Sequence, residues 1–209
     1  MKTEGSGALA KIGIMGGSFD PIHYGHLAAA ASAGQACGLD RVVFILNPRP
    51  PHKERADRRE GEQRLHMLKL ALADNPMFTV STIEMERMGT VYTVDTLEEL
   101  LRQDPESELY FILGADAALN LETWKQPERL LRLCQIIIVN RPDNPLDFSH
   151  MQPELIDLLE RRSRRINIPG IGISSSAIRE RIAVGESVRY MLPDPVWCYI
   201  EQHQLYRER

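Results

Sequence analysis

The stretch Ile12–Leu27 reads IGIMGGSFDPIHYGHL. Ile12 and Ile14 flank Gly13 in a short apolar run that reads as a strand. Gly16 and Gly17 then allow a tight turn and a close approach of a ligand to the main chain. Pro21 restricts the turn before a helix. His23 and His26 are three residues apart, so at a helix start they face the same way. Unpaired N–H groups and the positive end of the helix dipole lie beside them. A strand, a glycine turn and a helix start in this order make a site for a polyphosphate.

Rival readings of the same residues remain at this level. No G-x-x-x-x-G-K-[ST] pattern occurs, which excludes the common P-loop. A G-x-G-x-x-A match at Gly5, Gly7 and Ala10 precedes the strand instead of following it, so it carries no dinucleotide reading. Residue types alone leave His23 and His26 open between phosphate ligands and a turn histidine followed by a capping one. A metal centre would need further Cys, His or carboxylate ligands, and only Asp20 is near.

Moving outward, apolar runs alternate with segments of helical period. Val42–Leu46, Phe78–Ile83, Leu109–Leu113 and Ile136–Val139 read as strands. Leu27–Cys37, Glu62–Leu72, Val94–Arg102 and a piece near Trp124–Leu133 read as helices, with Leu65, Leu68 and Leu72 on one stripe. Alternating β and α with continuously apolar strands predicts an α/β fold, a doubly wound parallel sheet. Ligands in such sheets bind beyond the C-terminal strand ends, where His23 and His26 fall. Asn47–Gly61 and Arg141–His150 read as loops, and Ser174–Ala183 and Pro195–His203 as helices closing over the sheet edge. The division this implies is a tail over residues 1–10, a nucleotide-binding unit over 11–168, and a small C-terminal helical subdomain over 169–209 packed on the same core.

Composition bounds the function. With 209 residues, 43% of them hydrophobic, the chain suits one domain with a substantial core. A net charge of −4 argues against general nucleic-acid binding. Cys37, Cys134 and Cys198 are far apart and form no C-x-x-C pair, which suits core positions in a reducing compartment. No apolar run spans a bilayer and no signal peptide opens the chain, so the cytoplasm is the expected location and no membrane partner is called for. Whether the chain is a monomer or a homo-oligomer stays open.

Two further groups carry chemistry. Ser174, Ser175 and Ser176 precede a helix whose Ile178 and Ile182 form an apolar pair, so one serine is the N-cap. Arg179 lies one turn in; serines, helix start and arginine together make a second anion site. Arg49, His52, Lys53, Arg55, Arg58 and Arg59 crowd one loop. A solvated segment is the plain reading for Arg58 and Arg59. His52 and Lys53, just after a strand, are better placed for function.

GGSFDPIHYGHL resembles the G-x-F-x-P-x-H-x-G-H motif of the nucleotidyltransferase superfamily, and Ile173–Arg179, ISSSAIR, resembles its I-S-S-T-x-I-R. Ser18 and Ser176 stand where threonine is common, and both keep a hydroxyl. Within that superfamily the chain is similar to bacterial nicotinate mononucleotide adenylyltransferases. PPHK (50–53), ERMGTVYTVDTL (86–97, with Val91 for a usual serine), FILGADAALNLETW (111–124), Arg141–Pro142, and the ending from Tyr190 to Tyr206 all match. The resemblance implies transfer of the adenylyl group of ATP to nicotinate mononucleotide, with Mg²⁺ held mainly by the ATP phosphates. It implies His23, His26 and Arg179 as catalytic residues. Gly16, Gly17, Ser18, Phe19, Ser175, Ser176, Gly114 and Asp116 would bind ATP, and His52, Lys53, Tyr92, Thr93, Trp124 and Arg141 the acceptor. Other acceptors in the class are nicotinamide mononucleotide, 4′-phosphopantetheine and glycerol phosphate. Outside it, the alternatives are a nucleotide-sensing module without turnover and a His-based metalloprotein.

Overall fold

The computed structural model describes residues 9–48, 58–87, 89–140, 146–168 and 172–207. Its centre is a six-stranded sheet, all parallel, in the order β3-β2-β1-β4-β5-β6. The strands are β1 (Ala10–Gly17), β2 (Arg41–Leu46), β3 (Phe78–Ser81), β4 (Ser107–Gly114), β5 (Gln135–Asn140) and β6 (Ser163–Asn167). The order reverses between β1 and β4, the switch point at which doubly wound sheets bind ligands.

Period-2 alternation sends the strand residues to two cores. Ile12, Ile14, Leu109, Phe111, Ile136 and Ile138 face α3 (Thr93–Gln103), α5 (Pro127–Leu133) and α6 (Pro153–Arg162). Met15, Phe44, Ile112, Ile137 and Val139 face α1 (Tyr24–Cys37), α2 (Arg58–Leu72), α7 (Ser175–Ala183) and α8 (Asp194–His203). The short α4 (Ala115–Leu119) follows β4 directly. Gly13 has no room for more: an added Cβ would lie 2.7 Å from Leu39 Cδ1. Small Ala30, Ala33 and Gly34 on the buried side of α1 let that helix settle close to the sheet.

Several boundaries differ from the sequence reading. The edge strand β6, SRRIN, has one buried apolar residue, Ile166, so its pattern carries no strand signal. The helix before it, α6, is equally absent from that reading. Arg58–Gly61 belong to α2, not to a loop. Trp124 precedes α5, which starts at Pro127 after Gln126 in the left-handed region. β3 ends at Ser81, where a turn closed by Met85 N to Thr82 O begins. Leu65 is only partly buried, and Cys198 is exposed whereas Cys37 and Cys134 are buried. The C-terminal helices lie on a face of the sheet, not over its edge: Ile178, Ile182, Val196 and Ile200 join the core of α1 and α2.

Candidate active site

The β1–α1 loop is shaped by its own residues. Gly16 and Gly17 end β1, paired with Ile45 and Leu46 of β2. A Cβ on Gly17 would sit 3.0 Å from the Phe19 ring. Phe19 adopts φ 44 and is 1% exposed, its ring 5.7 Å from that of Phe44 and edge-on to His26 at 5.2 Å. Its side chain is therefore core, and it can offer a ligand only main chain.

His23 is the N-cap of α1 and His26 is its third residue. His23 Nδ1 accepts from Gly25 N at 3.1 Å, and His26 Nδ1 accepts from His23 N at 3.3 Å. A ring nitrogen that accepts carries no proton, so each neutral imidazole holds its proton on Nε2. The rings face each other at 3.8 Å between centroids. Burial lowers the His23 pKa to about 4; burial and the neighbouring His23 lower that of His26 to about 3. Both rings are thus neutral at pH 7 and present an N–H donor. The capping and phosphate readings are compatible, because capping uses Nδ1 and leaves Nε2. Gly25 is needed between them: a Cβ there would lie 2.9 Å from the His23 ring.

The C-terminal elements dock on this loop. Ser174 caps α7, accepting from Ala177 N at 3.2 Å, and its hydroxyl pairs with that of Ser176 at 3.1 Å. Ser175 Oγ donates to Pro21 O at 2.9 Å, and Arg179 Nη1 to Asp20 O at 2.6 Å. Tyr206 OH donates to Asp20 Oδ1 at 2.7 Å, while Asp20 Oδ2 lies 3.9 Å from Arg179. The N-termini of α1 and α7 adjoin: a Cβ on Gly25 would be 3.5 Å from Ile173 O. Two positive helix ends, two imidazole donors and one guanidinium converge there. The serines and Arg179 are not wholly free, since one serine hydroxyl and one guanidinium nitrogen already hold the loop.

A cavity of about 440 Å³ opens at the switch point, sharing Gly16, Gly17 and Ser18 with the histidine loop. Thr93, Gly114 and Trp124 also line it. Trp124 stands edge-on to Phe111 at 6.0 Å. Tyr92 is the N-cap of α3 and makes no side-chain cap, and Thr93, the first residue of α3, lines the cavity. The Tyr92 side chain is exposed under Lys125 Nζ, 4.4 Å from the ring centroid. Tyr92 and Asp116 do not line the cavity; both are exposed. His52, Lys53 and Arg141 lie outside the described residues.

Sequence reasoning misses three site neighbours. Glu84 is buried, lines the cavity and accepts from Thr96 Oγ1 at 2.9 Å; burial pushes its carboxyl up. Nothing in the local pattern marks it. Tyr206 lies within a matched motif that carries no role for it. Arg64, 4% exposed, sits four residues before Leu68 on the buried stripe of α2. An arginine on an apolar stripe is itself a signal, because burying a cation requires partners.

A family model described as cytidylyltransferase-like matches residues 14–181, which sets the class of the protein. A Thermus thermophilus protein named "Probable nicotinate-nucleotide adenylyltransferase" is 46% identical over 197 residues, covering 94% of this chain and 100% of that one. One of the same name from Lachnoclostridium phytofermentans is 39% identical over 201 residues, covering 95% of this chain and 100% of that one. The chain belongs to the nicotinate-nucleotide adenylyltransferase family. The fold agrees with that of Plasmodium falciparum nicotinic acid mononucleotide adenylyltransferase complexed with NaAD, at a TM-score of 0.75 and 22% identity over 94% of this chain and 97% of that one.

Proposed function

We propose that this enzyme joins ATP and nicotinate mononucleotide, giving deamido-NAD and pyrophosphate. An acceptor phosphate oxygen forms a bond to the α-phosphorus of ATP, and the bond from that phosphorus to the β-phosphate bridging oxygen breaks in line. Both reactants are polyanions, so the barrier is charge and alignment, and no protein nucleophile is required. The observation that carries the reading is the adjacency of the two sites. Two neutral imidazole donors stand at the β1–α1 loop, and Gly16, Gly17 and Ser18 leading into that loop line a cavity that also takes in Thr93 at the start of α3.

In this reading His26 Nε2 is the main donor to charge developing at the α-phosphate, with His23 beside it. Main chain of Gly16, Gly17, Ser18 and Phe19 lies along the phosphates. Ser175, Ser176 and Arg179 hold the leaving pyrophosphate. Gly114 has open space over its Cα, which suits a ribose or adenine, and Asp116 follows it in α4. N–H groups at Tyr92 and Thr93 take the nicotinate carboxylate, and Trp124 stacks on its ring. His52, Lys53 and Arg141 take the acceptor phosphate. Residues 11–168 supply the cleft and residues 169–209 close it.

Among the described residues no group of three or more His, Cys, Asp or Glu could hold a metal ion. The imidazoles, serine hydroxyls and Arg179 offer donors there, and the Asp20 carboxylate is taken up by Tyr206 beside Arg179, which fits an ion held mainly by phosphate oxygens. Mg²⁺ bound this way would shield phosphate charge. Among the described residues no helix is long and apolar enough to cross a membrane. Free Cys37, Cys134 and Cys198 support a reducing, cytoplasmic setting.

The test is pyrophosphate release from ATP with nicotinate mononucleotide, nicotinamide mononucleotide, 4′-phosphopantetheine and glycerol phosphate. Turnover is expected with the first above all others. Preference for any of the other three would overturn the acceptor assignment.

A further inference from the structure

We infer that Arg64 is a positioning residue that sets the separation of the two loops between which the reaction occurs. The inference rests on the proposed function. Arg64 Nη1 donates to Ser18 O at 2.6 Å and to Asn47 O at 2.9 Å; Nη2 donates to Pro48 O at 3.0 Å. One side chain thus ties the β1–α1 loop to the β2–α2 loop. Asn47 N to Gly17 O at 2.8 Å joins the same loops at their roots. Ser18 and Asn47 both line the cavity at the switch point. Arg64 is 4% exposed as a residue and is held from below by α2, whose Met67, Leu68 and Ala71 are buried in the core.

This geometry needs a planar fork. Arginine offers five N–H donors in fixed directions, so it can meet three carbonyls from two chain segments at once. A lysine ammonium keeps the charge but radiates its donors from one point, and cannot hold both loops at the same spacing. The first loop carries the groups assigned to ATP. The second contributes Asn47 to the lining of the same cavity. The width of the cavity between Ser18 and Asn47 therefore follows the spacing Arg64 imposes, and with it the alignment of reactants held there. Misplacement by about 1 Å costs on the order of 10²-fold in rate. Arg64 touches no reacting atom; it acts through Ser18, Asn47 and Pro48.

The experiment compares wild type, Arg64→Lys and Arg64→Gln in single-turnover adenylyl transfer from ATP to nicotinate mononucleotide. KM for each substrate and Tm are measured on the same preparations. The expected result is a rate lower by about 10–100-fold in folded Arg64→Lys, with each KM within about threefold of wild type. Arg64→Gln should be slower still. A folded variant within twofold of the wild-type rate would overturn the inference, as would a loss carried entirely by KM. Failure of both variants to fold would also overturn it, assigning Arg64 to stability alone. A wild type silent with this acceptor would sink the functional reading and the inference with it; an active wild type beside an equally active Lys variant sinks only the inference.

Discussion

At His26 the two ring nitrogens are disposed differently. Nδ1 closes the helix cap and Nε2 is left as a neutral donor. His26→Ala should therefore lower kcat by on the order of 10²–10³, the loss expected for one transition-state donor. The lost cap should cost only about 1 kcal/mol, so Tm should fall by a few degrees while the fold persists. Near-normal turnover would return the ring to capping alone. A pH effect follows from His23, which is 6% exposed. Its folded pKa of about 4 lies below the ordinary value of 6.5, so between those limits the unfolded chain binds more protons. Stability should fall as pH drops from about 6.5, by up to about 1.4 kcal/mol per unit, and this contribution should level off below about 4. Denaturation midpoints at pH 7, 6 and 5 would show it. A His23→Asn/His26→Asn variant, retaining a capping residue, should show a flatter dependence; an unchanged slope would assign it to other groups. The spacing of the two histidines was legible in the sequence, but which nitrogen each uses was not, because that depends on where Gly25 N and His23 N point.

Among the elements, α7 binds the histidine loop most directly. Its serines were readable as an N-cap, and Ser174 is that cap. Its attachment to Asp20 and Pro21 was not readable, since those bonds cross about 150 residues of chain, as in Ser175 to Pro21 with a separation of 154. Arg179→Ala should weaken ATP more than AMP, because its proposed partners are the outer phosphates. Dissociation constants for the two nucleotides decide this, and equal weakening would leave Arg179 as a loop anchor only. Helices α1, α2 and α3 were visible because apolar spacing of three and four residues marks a buried stripe. The α6–β6 pair was not, because an edge strand such as SRRIN is held by main-chain pairing to β5 and needs only Ile166 as an apolar anchor.

For the molecule as a whole, the placement of the α3 start at the switch-point cavity predicts acceptor selectivity. A carboxylate can accept from main-chain N–H groups with both oxygens, whereas an amide must turn a donor toward a donor, at about 1–3 kcal/mol. kcat/KM for nicotinate mononucleotide should exceed that for the nicotinamide form by at least roughly tenfold. Trp124→Ala should weaken both acceptors about equally, because stacking ignores the substituent. Steady-state kinetics with both acceptors at saturating ATP would decide, and a ratio near one would remove the carboxylate site from α3. Val91 and Glu84 line the same cavity.

By itself the sequence determined the fold class, most of the strands and helices, and the glycine turn and helix start around His23 and His26. These rest on short-range physics: side-chain period, capping, glycine turns and the apolar runs of strands covered on both faces. Only the tertiary structure decided the strand order, the packing of the C-terminal helices on a face, and the partners of Asp20, Glu84 and Arg64. Those follow from crossovers that bring distant segments together and from the cost of burying charge without a partner. That cost selects which carbonyls a buried guanidinium must find, and no local pattern contains the answer.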